Sequence, residues 1–401
     1  MMTSVRKLPL VCLAFLLAGS AWSLAALAPD GVDAQADLDT QEDSVRVYVV
    51  PIRGQVGTDI VPRIYEEVIE DIKEQKPDIV VFELESSDER NVYDDNFVDI
   101  YEGEVFDEQR ERSMLMVPEM TELRVMFDDK LPGDMKQVLW VHDAVGASSA
   151  LGLAWCDFYM TPDAKIGNMG ASVRRSRGAA GDSNVEAKFG QAAFQGLVRI
   201  TAYGDCDPMN PTRRKLINAM AMPEMSLSVF MMGRQYMMAN HKEYETVLDA
   251  NDEMECRLTA EMCDDLCISD GTAESIEDLM VLLGERQFML VEGKAGQIVA
   301  DHYEGWRDAY ARAIDAYQSY QKWMKRASGK NFRSSLSKAE KALKSLRSNV
   351  MRYPEVSRRM GGLTTDRIDI MLRELEKMKR SGKGRPGGGG GGGGPRGPAG
   401  S

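Results

Sequence analysis

The stretch Val138–Gly167, VLWVHDAVGASSALGLAWCDFYMTPDAKIG, decides how this chain of 401 residues is read. Together with Gln137, its first residues, through His142, form an apolar run that reads as a buried strand. Gly146-Ala147-Ser148-Ser149-Ala150 follows as a small-residue turn, then a short helix, a second short strand and a Pro162-Asp163 turn. Small residues are required where a strand turns tightly into a helix. A serine at the same place is also presented at a helix start, where it can act as a nucleophile. Ser148 and Ser149 therefore carry two readings, one chemical and one steric.

Working outward, Val45–Ile52 (VRVYVVPI) alternates and is rich in β-branched residues, the pattern of a strand. From Asp59 to Glu74 the apolar residues Ile60, Val61, Ile64, Val68, Ile69 and Ile72 recur at helical spacing, and Lys76-Pro77 ends the run. Asp78–Leu84 (DIVVFEL) is continuously apolar and reads as a strand buried on both faces. Together they make a βαβ unit, hence a parallel sheet with a right-handed crossover. A long acidic connection, Glu85 to Lys136, leads to the third strand and contains helical sequence over Phe106–Met126. Further helices are expected at Gln191–Ala202, Arg214–Met220, the Met-rich Ser226–His241, and Ala273–Leu283 with Ser275 near its start. From Tyr303 the pattern becomes a heptad: Trp306, Tyr310, Ala313, Tyr317, Tyr320 and Met324 fall on one seam. Leu336, Ala339, Leu343, Leu346 and Val350 form a second run, and Thr365–Arg380 a third helix. An aromatic stripe at this spacing reads as a packing seam, for docking on the body or for oligomerisation.

The ends of the chain carry other signals. Arg6 and Lys7 precede an apolar run from Leu8 to Ala28, and Ala34-Gln35-Ala36 offers a small-x-small cleavage site. This reads as a secretory signal peptide over 1–36. An uncleaved N-terminal membrane anchor is the second reading, because the run is about 20 residues long. Beyond residue 36 the cysteines are Cys156, Cys206, Cys256, Cys263 and Cys267. The last three are close enough for a local disulfide in an oxidising compartment. With no His nearby they make a poor zinc site, so neither metal nor cofactor is expected. Residues 302–401 carry 22 Lys/Arg against 9 Asp/Glu, while residues 1–301 carry a net −27. A basic C-terminal region on an acidic body points to an anionic partner, such as nucleic acid, a membrane surface or the body itself, or to helices that simply carry many Lys and Arg. The run Arg174-Arg175-Ser176-Arg177 reads as a basic loop. Residues 381–401 are Gly-rich without a collagen period, the composition of a disordered tail.

VYVVPIRGQV, a helix and DIVVFEL resemble the opening of ClpP/crotonase-like proteins, closest to the signal-peptide peptidase A and NfeD-type membrane-associated serine peptidases. Val138–Gly167 is similar to their nucleophile segment, and Ser269-Asp270-Gly271-Thr272-Ala273 through Leu283-Gly284 to their closing stretch. The resemblance spans roughly residues 45–300. It implies an α/β fold with a repeated ββα spiral core, in a domain over 37–300, and the heptad runs predict a C-terminal α-helical hairpin region over 301–380. It also implies a Ser–Lys dyad, with Ser148 as nucleophile (Ser149 as the alternative) and Lys188, 40 residues later, as base. A desolvated lysine with a lowered pKa can take a serine proton without a histidine. Two departures stand beside it. Counted back without gaps from Asp157 or Pro162, the nucleophile position falls on Ala147 or Gly146. Where the family places a Ser/Thr-Pro-Gly-Gly turn whose N–H groups form the oxyanion hole, Leu84 is followed here by Glu85-Ser86-Ser87-Asp88-Glu89-Arg90. An oxyanion donor lowers a barrier by about 3–4 kcal/mol.

Two functions follow. One is an exported serine endopeptidase acting on peptides or proteins. The other is a pseudoenzyme, an oligomeric binding or scaffold module that keeps the fold without the chemistry. A coenzyme A enzyme is a weaker third, since it needs donors at the same absent turn.

Overall fold

The computed structural model describes residues 44–87, 117–170, 183–204, 211–222, 224–233, 235–242, 246–249, 256–328 and 331–381. All belong to the unit Ser44–Ser401. The expected signal segment, most of the acidic connection, the basic run at 174–177, and the tail beyond 381 lie outside the described residues.

The chain opens with β1 (Val45–Arg53), α1 (Pro62–Gln75), β2 (Ile79–Ser87), α2 (Val117–Lys130) and β3 (Lys136–Val145). Next come α3 (Ser148–Gly152), β4 (Asp157–Met160), β5 (Lys165–Gly167), α4 (Ser183–Thr201) and α5 (Pro211–Ala221). A small sheet follows, β6 (Leu227–Met232), β7 (Gln235–Ala239) and β8 (Thr246–Asp249), then β9 (Arg257–Thr259), α6 (Ala260–Asp265), α7 (Ile276–Leu282) and β10 (Phe288–Leu290). Four helices end it: α8 (Ala295–Lys325), α9 (Phe332–Arg352), α10 (Pro354–Arg359) and α11 (Thr365–Ser381).

This is a mixed α/β fold on a parallel sheet. The main sheet runs β10-β1-β2-β3-β5-β9, with β4 also on β3. Only the β5–β9 pair is antiparallel. The period of 2 along each strand divides its side chains between two apolar layers. Tyr48, Val50, Ile52, Val80, Phe82, Leu84, Leu139 and Val141 face the main core, which α1 and α2 cover with Ile64, Val68, Ile72, Leu123 and Phe127. Val47, Ile79, Val81, Val138 and Trp140 face the other way, under Leu279 and Met280 of α7. The register between β2 and β3 slips after Leu84, which pairs Val141, because Glu85 pairs Asp143. His142 is the extra residue of this bulge, so Ala144 returns to the main-core face three positions after Val141.

Two expectations are corrected. Ser226–His241 is not a helix but the β6–β7 hairpin, with Ser228 paired to Ala239 and Met232 to Gln235. Gly233 supplies the positive φ of 69° that its turn requires. The methionines have good helical propensity, but strand pairing overrides it. The local disulfide among Cys256, Cys263 and Cys267 is also absent: all three are thiols. Cys263 is fully buried in the main core while Cys267 is exposed, so their side chains point apart. Burial, aided by the Asp264 carboxylate, pushes the Cys263 thiol up to about 12. Cys156 is instead disulfide-bonded.

α8, α9 and α11 share their own core. Trp306, Tyr310 and Ala313 pack with Leu336, Leu343, Leu346, Ile368 and Leu375, and Tyr317, Tyr320 and Met324 lie partly buried against them. α8 runs without interruption through residue 301, where the sequence reading placed a boundary. Its first turn is tied to the sheet. The Lys294 N–H donates to Asp71 Oδ2 at 2.6 Å and the Ala295 N–H to Tyr48 Oη at 3.0 Å. The Tyr48 hydroxyl itself donates to Asp71. Burial alone would raise the Asp71 carboxyl, but the Tyr48 hydroxyl and Lys294 hold it below the usual range.

Higher up, the corner between β1 and α1 is clamped. Trp306 Nε1 donates to Asp59 Oδ1 at 2.9 Å, and the Gln55 N–H donates to Asp59 Oδ2 at 2.8 Å. Arg63 forks onto Glu355 at 3.1 and 3.0 Å, and Arg358 Nη1 donates to Gly57 O at 2.7 Å. His302 Nε2 lies 2.9 Å from Thr58 O and its Nδ1 lies 3.4 Å from Arg63 Nη2. A carbonyl can only accept and a guanidinium can only donate, so this pairing selects the neutral imidazole with its proton on Nε2.

Candidate functional site

The Ser148–Ser149 turn sits where β2, β3 and β5 end together. Ser86 and Ser87 of β2 pair with Ala144 and Val145 of β3, which pair in turn with Ile166 and Gly167 of β5. Gly146, at a φ of 94°, leaves the strand and donates its N–H to Gly167 O at 2.9 Å. α3 then starts, with Ser148, Ser149, Ala150, Leu151 and Gly152 all buried. Small side chains fit because Gly152 already lies against Ile166: a Cβ there would be 3.1 Å from its Cδ1.

Both hydroxyls are engaged by the backbone. Ser148 Oγ donates to Ser86 O at 2.6 Å, with Val145 O at 3.4 Å. Ser149 Oγ lies 2.6 Å from Ala144 O and 2.5 Å from Gly167 O, and accepts from the Gly167 N–H at 2.9 Å. With one proton it donates to one carbonyl at a time. Ser149 thus bridges β3 to β5 at the point where the chain leaves the sheet, and Ser148 bridges α3 to β2.

A serine nucleophile needs a base for its proton and donors for the developing oxyanion. Among the described residues Ser148 Oγ is hydrogen-bonded to amide carbonyls, which take a hydrogen bond but not a proton. The Ser86 carbonyl also presents negative partial charge on the β2 side. The residues Glu85-Ser86-Ser87, where the sequence resemblance implied a donor turn, continue β2 as paired strand. The absence of glycine there was legible in the sequence.

Lys188 lies within α4, which begins at Ser183 rather than near Gln191 as expected. α4 packs against α3. Among its described positions Gly190, Ala193, Phe194, Leu197, Ile200 and Thr201 are buried, whereas Lys188 is exposed. Nine residues separate Lys188 from Leu197, which at about 100° per residue places them on opposite sides of the helix. The structure therefore puts Ser148 and Ser149 together in a buried turn and Lys188 on the solvent side of a neighbouring helix.

A second polar group lies on the other face of the same strands, and the sequence did not single it out. Arg53 Nη2 is 2.6 Å from Glu83 Oε2, and His142 Nε2 is 3.2 Å from Glu83 Oε1. The His142 nitrogen is out of line for a hydrogen bond, so the contact is one of charge and dipole. Burial lowers the His142 pKa, against the pull of Glu83 and Glu85. The bulge that places His142 here depends on strand pairing and leaves no mark in composition. Among the described residues no group of three or more His, Cys, Asp or Glu side chains is arranged to hold a metal ion, and no helix is long and apolar enough to cross a membrane.

Comparison with protein-family models gives no match, and comparison with curated proteins gives none either. Among solved structures the chain is similar to two mutants of the 1510-N membrane-bound stomatin-specific protease. One, in complex with a substrate peptide, is 14% identical and aligns over 60% of this chain and 80% of its own, with a TM-score of 0.28. The other is 13% identical over 60% of this chain and 84% of its own, also with a TM-score of 0.28. Scores that low do not carry the fold, which rests on the strand order and register.

Proposed function

We propose that this chain is an exported ClpP/crotonase-like protein that binds extended peptide and does not cleave it. The observation that carries the reading is the Ser86 carbonyl 2.6 Å from Ser148 Oγ: an acceptor stands where hydrolysis needs a base or a donor. The outward-facing Lys188 agrees with it. The βαβ opening, the strand–turn–helix at Ser148 and the closing Ser269–Gly284 stretch support the spiral core. The disulfide at Cys156 and the apolar run at Leu8–Ala28 support an oxidising compartment outside the cytoplasm. Sheet and helix packing do not depend on the nucleophile, so a peptide cleft can outlast its chemistry.

The rival reading, an endopeptidase with Ser148 as nucleophile and Lys188 as base, draws on the placement of Ser148 at the head of α3. A β-lactone serine probe and fluorescent casein separate the two. The expected result is casein binding by anisotropy, no cleavage at any pH, and no labelled serine. Covalent label on the wild type that is lost in Ser148→Ala and kept in Ser149→Ala would overturn the proposal.

A further inference from the structure

α9 buries Leu336, Ala339, Leu343, Leu346 and Val350 against α8 and α11 and leaves one stripe of its surface to solvent. Six cations lie along the helix, Arg333, Lys338, Lys341, Lys344, Arg347 and Arg352, against one carboxylate, Glu340. That carboxylate is half-buried and held by Lys344 at 2.6 Å and by Lys379. The exposed positions recur at helical spacing: Arg333, Ser337, Lys341, Lys344, Ser348 and Met351. They form one stripe about 30 Å long, and none of its exposed side chains is acidic. Toward its C-terminal end the stripe opens into a shallow groove lined by Lys344, Arg347, Ser348, Met351 and Arg352. Arg347 is fixed there between Asp369 Oδ1 at 2.6 Å and Met351 Sδ at 2.8 Å.

We propose that this face of α9 docks on an anionic phospholipid surface. Charge complementarity gives the sign of the partner, and the apolar atoms give its kind. Met351 is 58% exposed within the cationic groove. A headgroup layer accepts cations at the phosphates and apolar side chains just beneath, and that mixture marks a helix lying in an interface. A polyanion in free solution would leave Met351 in water. The sequence beyond α11 adds Lys383, Arg385 and Arg396 with no carboxylate through Ser401, so it reinforces the same attraction.

The test is flotation of the full chain with vesicles of phosphatidylglycerol and phosphatidylcholine, against phosphatidylcholine alone. Arg6, Lys7 and the N-terminal apolar run are the same in wild type and variants, so their contribution is common to both and the comparison between chains isolates α9. A preference for the anionic vesicles of about tenfold or more is expected near 0.1 M salt, collapsing toward 1 M as screening shortens. Arg333→Glu with Lys341→Glu should remove most of the preference, and Arg333→Gln with Lys341→Gln part of it. Both pairs are exposed substitutions, and unchanged circular dichroism certifies the fold. Met351→Asp should weaken vesicle binding further. Equal binding to both vesicles, or a preference untouched by either pair, overturns the proposal. So does a chain that binds DNA or self-associates in a charge-dependent way while showing no lipid preference.

Discussion

The Ser148–Ser149 turn and the Asp59 corner both bury polar groups at the same end of the sheet, but they tie down different things. At the serine turn each hydroxyl meets backbone within the sheet or the helix next to it. At the corner, Asp59, Arg63 and Thr58 reach side chains that arrive from the far end of the sequence. The first is a local brace that fixes how a strand ends. The second is a long-range tie that fixes where a helical layer sits. Both use residue types that invite a catalytic reading, and in both the hydrogen-bond partners account for the residues structurally.

The sharpest way to break this comparison is Trp306→Ala. It removes a fully buried indole from the helical core and one donor from Asp59. Burial already pushes the Asp59 carboxyl up, against the Gln55 N–H, Arg307 and the Trp306 N–H. Loss of a buried aromatic costs about 3–5 kcal/mol, read by urea unfolding. If the corner is a tie, protease cutting in α8–α11 should rise along with the loss.

The serine turn should respond less and unequally. Ser149→Ala leaves Gly167 N and a carbonyl without their bridging hydroxyl, a cost of about 1–3 kcal/mol. Ser148→Ala removes one carbonyl contact and should cost about 1 kcal/mol. Equal costs in chemical denaturation would show that the β3–β5 bridge is not special to Ser149.

The smallest effect is set by pH. Burial lowers the His302 pKa, as does the Arg63 guanidinium, while Thr58 O and Glu355 oppose. Its folded pKa lies below the unfolded value of about 6.5, so the unfolded chain binds the proton first. His302 therefore leaves stability unaffected above that value and subtracts from it as pH falls, until the folded pKa is passed. Protonation would put an N–H on Nδ1 against Arg63. Wild type should lose Tm between pH 7.5 and 5.5, by about 2–4 °C per kcal/mol, and His302→Gln should flatten the loss in a differential scan. A slope that Gln leaves unchanged would move the titration elsewhere.

What the sequence made legible was local. β1, α1, β2 and the start of β3 follow from periodicity, with Lys76-Pro77 marking where α1 ends, and Ser275 caps α7 by accepting from the Asp278 N–H. The heptad residues of α8 and α9 fall in one core because a period near 3.5 survives without neighbours. The rest depended on pairing. Leu227–Met232 could be a helix or a strand until Ala239 lay beside Ser228. The extra residue at His142 exists only relative to β2. The orientation of Lys188 depended on where α4 begins, and the acceptors of Ser148 and Ser149 on three strands meeting. A small residue needed by a turn and a small residue needed by a reaction are written with the same letters.

The clamp at the β1–α1 corner also orders events in time. Asp59 and Trp306 are 247 positions apart, Arg63 and Glu355 are 292, and Gly57 and Arg358 are 301. Contacts so distant in sequence form late, after local helices and neighbouring strands. The corner after β1 is thus among the last to be completed. A nascent chain holds that corner open, with Asp59 still hydrated, until α8 and α10 have been made.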